Sequence, residues 1–277
     1  YDGKGSELVM HELYRGILEQ LYYSSICLDL ASVYNVNTSG LHIPIAGDAP
    51  LAEFYDENTE IKPFNPATSK AILELHKMGQ RVQCSNELLS DAYINVSNMV
   101  TNQIGSSFAL TADTSYFQGN ATVGIEGVCD AIEGYNAGSN VIEVADPDAP
   151  TTGELAFPWK TVHQNSRNRK WAVSPQGWAG VMAIATAPEA GAVVTDSVRA
   201  TIYGAPVYVC TTLPDDVLAI YGDFEMSTAV GIKSNGVTLR GSAERAMELD
   251  AYVWVGTNRM AFAPHSPEFL AMLKESP

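Results

Sequence analysis

The chain has little charge, and positive charge is the scarcer kind. Only 17% of its residues are charged, and 32 acidic residues against 16 basic ones give a formal net charge of -16. Proteins that grip nucleic acids use clustered Lys and Arg to displace counterions. The balance therefore excludes ordinary nucleic-acid binding, although an acidic protein can still enclose a nucleic acid. So few charges also indicate that partners cover much of the surface.

The one basic cluster runs from Lys160 to Lys170 and contains Arg167 and Arg169. Such a short cluster in an acidic chain neutralises neighbouring carboxylates without forming a continuous positive surface. We interpret it as a solvated loop that balances nearby acids.

Cysteines and long apolar runs are also scarce. Cys27, Cys84, Cys129 and Cys210 are far apart and form no C-x-x-C pair. The spacing therefore predicts neither a zinc site nor a disulfide framework. We expect free, mostly buried thiols. No apolar run approaches the roughly 18 residues that a membrane span needs, so no membrane segment is predicted.

Catalytic signatures are missing as well. The sequence has no G-x-S-x-G, H-E-x-x-H or G-x-x-x-x-G-K-[ST] motif, and its five histidines are scattered. These absences argue against a nucleophile elbow, a zinc protease site and a phosphate-binding loop. Glu87 and Asp91 form an i,i+4 carboxylate pair, which on a helix is an electrostatic cost more than an acid/base pair. We predict no catalytic, cofactor-binding or metal-binding residue, and no enzyme activity.

The most regular pattern lies between Glu87 and Gln118. Ser85 or Asn86 can cap the start of a helix there, and Gly119 with Asn120 supplies a stop. Such a helix would be about 48 Å long at 1.5 Å per residue, which is long for a globular protein. The apolar positions at close to helical spacing are Leu89, Ala92, Val96, Met99, Val100, Ile104, Phe108, Ala112 and Tyr116.

A helical arm and a hairpin are predicted before this helix. Residues 6–33 have apolar residues at mixed helical spacing, and residues 41–45 form a short strand candidate. Residues 49–80 alternate weakly, contain Pro63 and Pro66 midway and then resume as a strand, which indicates a hairpin with proline at its tip. An isolated two-stranded hairpin is only marginally stable in water. It therefore needs a surface to lie on, and a neighbouring copy of the chain is the natural candidate.

A mixed α/β region is predicted after the helix. Ser174 is expected to cap a helix that has Pro175 in its first position. Residues 207–211 are predicted as a buried strand, and residues 219–224 as a strand and turn. Residues 231–263 alternate and are predicted as further strands.

Three stretches of the chain form an ordered set. They are Val82 to Gly127 with SNELLSD and YFQGNATVGIEGV, Trp171 to Ile184 with Gly204-Ala-Pro-Val207, and Tyr221-Gly-Asp-Phe224 through Ala263. Together with the predicted arm and hairpin, this order of parts resembles the major capsid protein of tailed double-stranded DNA bacteriophages, which has the Hong Kong 97-type fold. No single motif identifies the family, but the ordered set is specific to it.

The resemblance implies an α+β fold divided into four parts. An arm and an extended hairpin would precede a peripheral domain built on a long spine helix, and an axial α/β domain would complete the chain. The implied bounds are 1–44 for the arm, 45–82 for the hairpin, 83–123 and 229–257 for the peripheral domain, and 124–228 and 258–277 for the axial domain.

The resemblance also implies a structural role, in the capsid of a virion assembled in the host cytoplasm. Copies of the chain would form hexamers and pentamers of an icosahedral head, with the hairpin and arm lying across neighbours. Double-stranded DNA would be enclosed without sequence-specific binding, and no cofactor or membrane is implied. The implied partners are a portal protein, a maturation protease or scaffold and, in some members, a decoration protein. A protease that removes an N-terminal scaffolding segment would explain a chain that starts at Tyr1.

Some members of this family cross-link their subunits covalently, joining a hairpin Lys to an Asn of a neighbour with the help of a Glu. Lys70 and Lys77 lie in the predicted hairpin. At the positions where the Glu and the Asn are expected, this chain has Thr257 and Asp250. We therefore predict that no isopeptide mesh forms.

Two other classes of protein remain open. An encapsulin, the shell protein of a bacterial nanocompartment, shares the fold and the approximate length, but its cargo-loading signature is not visible and the arm differs. A small-molecule enzyme of mixed α/β fold is the alternative from another class, and it lacks a motif-borne nucleophile, base or phosphate loop.

Overall fold

The structure is a computed structural model that contains two sheets, a hairpin and one long helix. It describes residues 17, 20, 21, 24–38, 40–46, 54, 55, 57, 68–91, 96–146, 150–185, 193–195, 200–234 and 236–276. The helices are α1 (Cys27–Leu30), α2 (Asn86–Asp91), α3 (Val96–Gln118), α4 (Val128–Gly134), α5 (Thr152–Thr161), α6 (Pro175–Ala185) and α7 (Phe224–Ser227). Short 3-10 helices span Tyr135–Gly138, Glu244–Leu249 and Pro267–Phe269.

The strands form three groups. The first sheet has the order β1-β11-β13-β12, with β4 also paired to β13, and the second has the order β5-β14-β10-β6-β9-β8-β7, while β2 and β3 form a separate hairpin. The strands are β1 (Ser32–Val36), β2 (Gly40–Ala46), β3 (Thr68–Glu74), β4 (His76–Ser85), β5 (Val141–Val144), β6 (Lys170–Val173), β7 (Val193–Thr195), β8 (Ala200–Ile202), β9 (Ala205–Val209), β10 (Val217–Gly222), β11 (Thr228–Lys233), β12 (Thr238–Ser242), β13 (Ala251–Pro264) and β14 (Leu270–Glu275).

The second sheet separates two hydrophobic cores because side chains alternate across a strand. Strand β10 is buried along its whole length, and its neighbours β6 and β14 pair antiparallel with it. Residues on one face join the core that contains α3 and α4: Ala172, Ile220, Leu270 and Met272. Residues on the other face join the core beneath α5 and α6: Trp171, Val173, Ala219, Tyr221, Ala271 and Leu273.

The predicted long helix corresponds to α2 and α3, and residues 92–95 between them lie outside the described part. The end at Gln118 is confirmed, because Gly119 follows with φ of 73°. Helix α3 alone has 23 residues, which makes it about 34 Å long at 1.5 Å per residue. The predicted positions found buried in α3 are Val96, Val100, Ile104, Phe108, Ala112 and Tyr116.

Met99 was predicted on the buried stripe, and the structure shows that this is wrong. Its side chain is 49% exposed, because at about 100° per residue it lies roughly 140° around the helix from Ile104. Instead, α3 buries a second stripe beside the first, made of small and polar residues with one aromatic. This second stripe consists of Thr101, Gly105, Ala109, Asp113 and Phe117.

Helix α3 lies very close to a neighbouring segment on each of these stripes. A Cβ added at Gly256 of β13 would lie 2.7 Å from Ile104 Cγ2, and one added at Gly105 would lie 2.8 Å from Gln20 Cβ and 3.0 Å from the carbonyl oxygen of Ile17. The helix is therefore held between the first sheet and the N-terminal helical segment.

A hairpin precedes the long helix, formed by β2 and β3, which pair from Gly40 with Glu74 to Ala46 with Thr68. Its first strand is therefore the one predicted separately at residues 41–45, and not a strand within residues 49–80. Pro63, Pro66 and most of the segment between the strands lie outside the described residues. The hairpin's base packs on its own subunit, because Leu73 is fully buried against Ala229 and Ala261 of the first sheet. From His76 onward the chain leaves the hairpin and pairs with β13. The base of the hairpin is therefore supported by its own subunit, and the expectation that a neighbouring copy also supports the hairpin stays a prediction.

The start of α6 is as predicted, whereas the strand predicted at residues 207–211 is less buried than expected. Ser174 caps α6 by accepting a hydrogen bond from the Gly177 amide at 3.1 Å, and Pro175 is the first helical residue, as predicted. The strand predicted as buried at residues 207–211 is instead β9, and its Val209 is 42% exposed. Strand β8 pairs only with Ala205 and Pro206 of β9, so within the described part of the chain residues 207–209 have a paired strand only on the β6 side.

The four cysteines are free and buried, as the sequence predicts. Burial raises the pKa of the Cys129 thiol to about 12 and raises the thiol pKa of Cys27 and Cys210 as well. These thiols therefore stay protonated and unreactive in the folded chain. No helix in the described part of the chain is long and apolar enough to cross a membrane.

Gly119 and Gly127 make the turn after α3 possible, because Gly119 has a positive φ and backbone atoms lie close around Gly127. An added Cβ at Gly127 would lie 2.5 Å from both the Gln118 carbonyl carbon and the Gly119 amide nitrogen, whereas one at Gly134 would meet nothing within 4 Å. We expect Gly127→Ala to lower the free energy of unfolding by about 2–3 kcal/mol, since backbone atoms cannot move aside.

The matched control is Gly134→Ala, which we expect to be neutral or to stabilise α4 by up to about 1 kcal/mol. Urea unfolding of unassembled subunits, followed by circular dichroism, measures both values. Equal stability of the two variants would contradict the proposed close approach.

Candidate functional site

A buried carboxylate on α3 connects the N-terminal segment to the helix. Asp113 is only 4% exposed. Its oxygens accept hydrogen bonds from the Ser25 hydroxyl at 2.8 Å, the Ile26 amide at 3.1 Å and the Cys27 amide at 2.9 Å. These amides lie at the start of α1, where helix N–H groups have no partner within the helix. Asp113 thus fixes both the position and the direction of the N-terminal segment on α3.

The C-terminal part of α3 is joined to the first sheet by a buried hydroxyl chain. The Thr228 hydroxyl donates to the Phe224 carbonyl oxygen at 2.7 Å, and the hydroxyls of Tyr116 and Thr228 are 2.7 Å apart. Because the Thr228 proton is already used, Tyr116 is the donor in this second bond. Burial raises the pKa of Tyr116 well above its ordinary value. The Tyr116 ring also contacts Phe262 of β13 edge to face, with ring centroids 6.5 Å apart.

The Tyr221-Gly-Asp-Phe224 stretch forms the corner between β10 and α7. Gly222 has φ of 149°, and a Cβ there would lie 2.0 Å from the Phe269 carbonyl oxygen. Asp223 is 2% exposed, and its carboxylate accepts from the Met226 amide at 3.3 Å, the Arg167 amide at 3.2 Å and the Asn168 amide at 3.1 Å. The motif therefore joins the second sheet, the first sheet and the loop before β6.

The basic cluster is only partly the solvated loop that we expected. Lys170 is 8% exposed, and its ammonium donates to Glu225 Oε1 at 2.8 Å and to the Asp29 carbonyl oxygen at 3.1 Å. Arg169 lies with its guanidinium carbon 4.7 Å from the centre of the Trp159 ring. The Lys160 and Arg167 side chains are exposed as predicted. The hydrogen bond from Lys170 lowers the pKa of Glu225, although burial opposes this shift.

Among the residues considered for covalent cross-linking, Lys77 of β4 lies diagonally opposite Thr257 of β13, because Lys77 pairs with Arg259 and Gly79 pairs with Thr257. Lys70 and Lys77 are exposed on β3 and β4. The hydroxyl oxygens of Thr257 and Thr238 are 2.6 Å apart, and the Asp250 carboxylate accepts from the Asn86 side-chain amide at 2.6 Å. Both side chains at the expected Glu and Asn positions are thus engaged within the subunit. The predicted absence of an isopeptide mesh stays a prediction.

Sequence reasoning missed Asp113, Asp223 and Lys170 as structural centres. A signal for Asp113 was present, because it lies four residues from both Ala109 and Phe117 and therefore on a buried face of α3. Lys170 had no such signal, since its partners Glu225 and Asp29 are distant in sequence. Within the described residues, no group of three or more His, Cys, Asp or Glu could hold a metal ion.

The role of Asp113 can be tested by removing its carboxylate. Asp113→Ala removes the acceptor of the Ser25 hydroxyl and leaves the Ile26 and Cys27 amides without their carboxylate in a buried place, so we expect a loss of about 3 kcal/mol or more of unfolding free energy. We also expect faster hydrogen exchange at residues 24–31, measured by mass spectrometry. Thr111→Ala, at an exposed position of the same helix, should change stability by less than about 0.5 kcal/mol. Unchanged exchange in Asp113→Ala would refute the assigned role.

The Lys170–Glu225 ion pair predicts a pH dependence. Because the folded pKa of Glu225 is lowered, its contribution to stability is present above the ordinary carboxyl range and is lost as the pH falls through the folded value. Glu225 is 45% exposed, so we expect Glu225→Gln to destabilise the subunit by about 1 kcal/mol or less at neutral pH.

Thermal unfolding across a pH series measures the effect. The difference in melting temperature between wild type and Glu225→Gln should shrink as the solution is acidified. The control is Glu126→Gln, which changes an exposed carboxylate elsewhere. A difference that stays constant at every pH would disprove the assignment.

Several solved structures have the same fold. A structure of Microbacterium phage Oxtober96 is similar to this chain with a TM-score of 0.73 at 14% sequence identity, over 91% of each chain. A structure of Mycobacterium phage Bobi has a TM-score of 0.72 at 14% identity, covering 92% of this chain and 91% of that one. The capsid of an empty GTA particle, computed with C5 symmetry, has a TM-score of 0.69 at 14% identity, covering 92% and 90%.

These likenesses show that the chain has the Hong Kong 97-type fold predicted from its order of parts. No curated protein has a sequence that matches it significantly. The family model described as the phage capsid family matches residues 5–274, which is nearly the whole chain. The chain therefore belongs to the phage capsid family.

Proposed function

We propose that this chain is the major capsid protein of a tailed bacteriophage, and that it assembles as hexamers and pentamers into an icosahedral head around double-stranded DNA. The observation that carries this proposal is the match of the phage capsid family to residues 5–274. The protein is a structural shell protein located in the virion capsid. An encapsulin-type nanocompartment shell is not favoured by this match.

The buried contacts of α3 support a structural role. Helix α3 shares one hydrophobic core with β13 of the first sheet and β14 of the second, and its Asp113 holds the start of α1. A wall subunit must transmit forces between neighbours without deforming, and one continuous core provides that stiffness. The domains proposed for assembly are the arm, the extended hairpin, the peripheral domain around α3 and the axial α/β domain.

The acidic composition supports enclosure of DNA without specific binding. A net charge of -16 repels phosphates unless cations lie between, so the shell would confine the polymer with few direct contacts. Further proposed partners are a portal protein and a maturation protease or scaffold, with a decoration protein on the outside of some shells. We propose that the chain has no catalytic activity of its own.

Electron microscopy of the expressed protein tests this function. We expect large icosahedral shells, and particles from infected cells should contain double-stranded DNA. Small shells filled with protein cargo would favour the encapsulin alternative. A chain that stays monomeric at high concentration would exclude both kinds of shell and would leave the enzyme alternative open.

The absence of covalent cross-links gives a second test of how the shell is held together. Thr257 and Asp250 occupy the positions where a Glu and an Asn are expected, so purified shells boiled in detergent should run as single subunits on denaturing electrophoresis. A ladder of bands that survives boiling would show that a mesh forms by some other residues.

A further inference from the structure

Helix α5 carries an exposed aromatic surface on the second sheet. Its inner side is buried through Leu155 and Pro158, whereas Phe157 is 48% exposed and Trp159 is 45% exposed. Two large aromatic rings exposed on one short helix indicate a surface that a partner covers. The exposed residues of the helix are Gly153, Ala156, Phe157, Trp159 and Lys160.

Cations hold both aromatic rings in place. The Lys160 ammonium lies 5.9 Å from the centre of the Phe157 ring, and the Arg169 guanidinium lies 4.7 Å from that of Trp159. Trp159 also stacks on Tyr221 with ring centroids 5.9 Å apart. Because Trp159 is held between Arg169 and Tyr221, its ring loses little conformational entropy when a partner binds. We call Phe157, Trp159, Lys160 and Arg169, together with the exposed Arg167 of the loop that follows α5, the cationic aromatic stripe.

The same sheet carries a surface of opposite charge at its β5 edge. An open groove of about 790 Å³ lies at this edge. The Lys274 ammonium bridges Glu133 Oε1 and Asp216 Oδ2, at 2.7 Å each. Glu143 and Glu275 have no ion pair among the described residues. The groove is therefore lined by four acidic residues and one lysine, whose ammonium is bonded to two of the acids. We call Glu133, Gly138, Val141, Glu143, Asp216, Lys274 and Glu275 the acidic groove.

The stripe and the groove point in different directions. Helix α5 packs on the core of one face of the second sheet through Leu155. Helix α4, which carries Glu133, packs on the core of the other face through Cys129 and Ile132. Two complementary surfaces at different places on one subunit form a head-to-tail contact, and such contacts close into rings when the rotation allows it.

We propose that the cationic aromatic stripe of one subunit docks on the acidic groove of the next copy of this chain around the axis of a hexamer or pentamer. This proposal rests on the proposed function. The chain carries twice as many acidic residues as basic ones, so this stripe is a rare cationic surface and every copy offers it an acidic partner. The rings would supply the apolar contact area at the centre of the interface, and the charges would set its orientation.

Nucleic acid is a less suitable partner for the stripe. Binding to phosphates needs several Lys and Arg along a continuous surface. Here Arg169 is half-buried and engaged with Trp159, which leaves Lys160 and Arg167 as the exposed cations. The acidic excess of the chain would also repel a polyanion from its surroundings.

Charge reversal and charge exchange test the proposal on the full chain. Lys160→Glu with Arg167→Glu places acids opposite acids, so we expect about a tenfold lower assembled fraction by light scattering and electron microscopy. Glu143→Lys with Glu275→Lys should have a similar effect, with Glu133 and Asp216 left in place to bond Lys274. Combining all four changes should restore assembly, because the charges are complementary again. Arg240→Glu, on β12 of the first sheet, is a control of the same charge change and should assemble normally.

The outcomes separate this proposal from the function on which it rests. Circular dichroism of each unassembled variant checks that it folds, and recovery in the combined variant shows that loss in the partial variants is not misfolding. If the wild type forms shells and Lys160→Glu/Arg167→Glu also assembles normally, this proposal alone is overturned. The same holds if the combined variant folds but does not recover assembly. Normal shells that lose only their nucleic acid would also overturn it and assign the stripe to nucleic acid. A wild-type chain that never assembles would overturn both proposals.

Discussion

The structure depends on burying two adjoining stripes of α3 at the same time. One stripe, with Ile104 and Phe108, packs on β13, and the glycine at position 256 lets the helix approach that strand closely. The other, with Gly105 and Asp113, packs on the N-terminal segment. Each large buried apolar side chain contributes about 1.5–3 kcal/mol, whereas a typical hydrogen bond contributes about 1 kcal/mol net. Apolar burial therefore sets the stability of this junction, and the close contacts decide its geometry.

Buried carboxylates make the junction specific. Asp113 accepts from the start of α1 and Asp223 accepts from α7 and the loop before β6, so each acid satisfies backbone amides of another segment. An apolar contact tolerates sliding, but an amide left without its acceptor in the interior costs about 1–3 kcal/mol. These two residues thus fix the register of segments that apolar packing alone would leave adjustable. The subunit gains a single arrangement of the described N-terminal segment, the helix and the sheets, which repeated assembly of identical copies requires.

The distribution of charge over the second sheet follows from the same architecture. Because side chains alternate across each strand, α4 and α5 lie on opposite faces and present different residues outward. An acidic chain that must meet copies of itself faces repulsion at every contact unless cations are placed locally. The cationic aromatic stripe and the acidic groove supply such a local difference within one domain. Lys170 is another cation placed where acceptors lie close. It is buried because its ammonium donates to Glu225 and to the carbonyl oxygen of Asp29 in α1.

The sequence by itself determined the elements whose causes are local. The spacing from Val96 to Tyr116, the glycine after Gln118 and the Ser174-Pro175 start of α6 all predict what the structure shows, because helix periodicity and caps act over a few residues. The ordered set of parts also predicted the fold. Only the tertiary structure decided that Met99 is exposed, that Leu73 anchors the hairpin on its own subunit, and that Lys170 meets Glu225 across 55 positions. Those outcomes depend on contacts between distant segments, which leave no periodic trace along the chain.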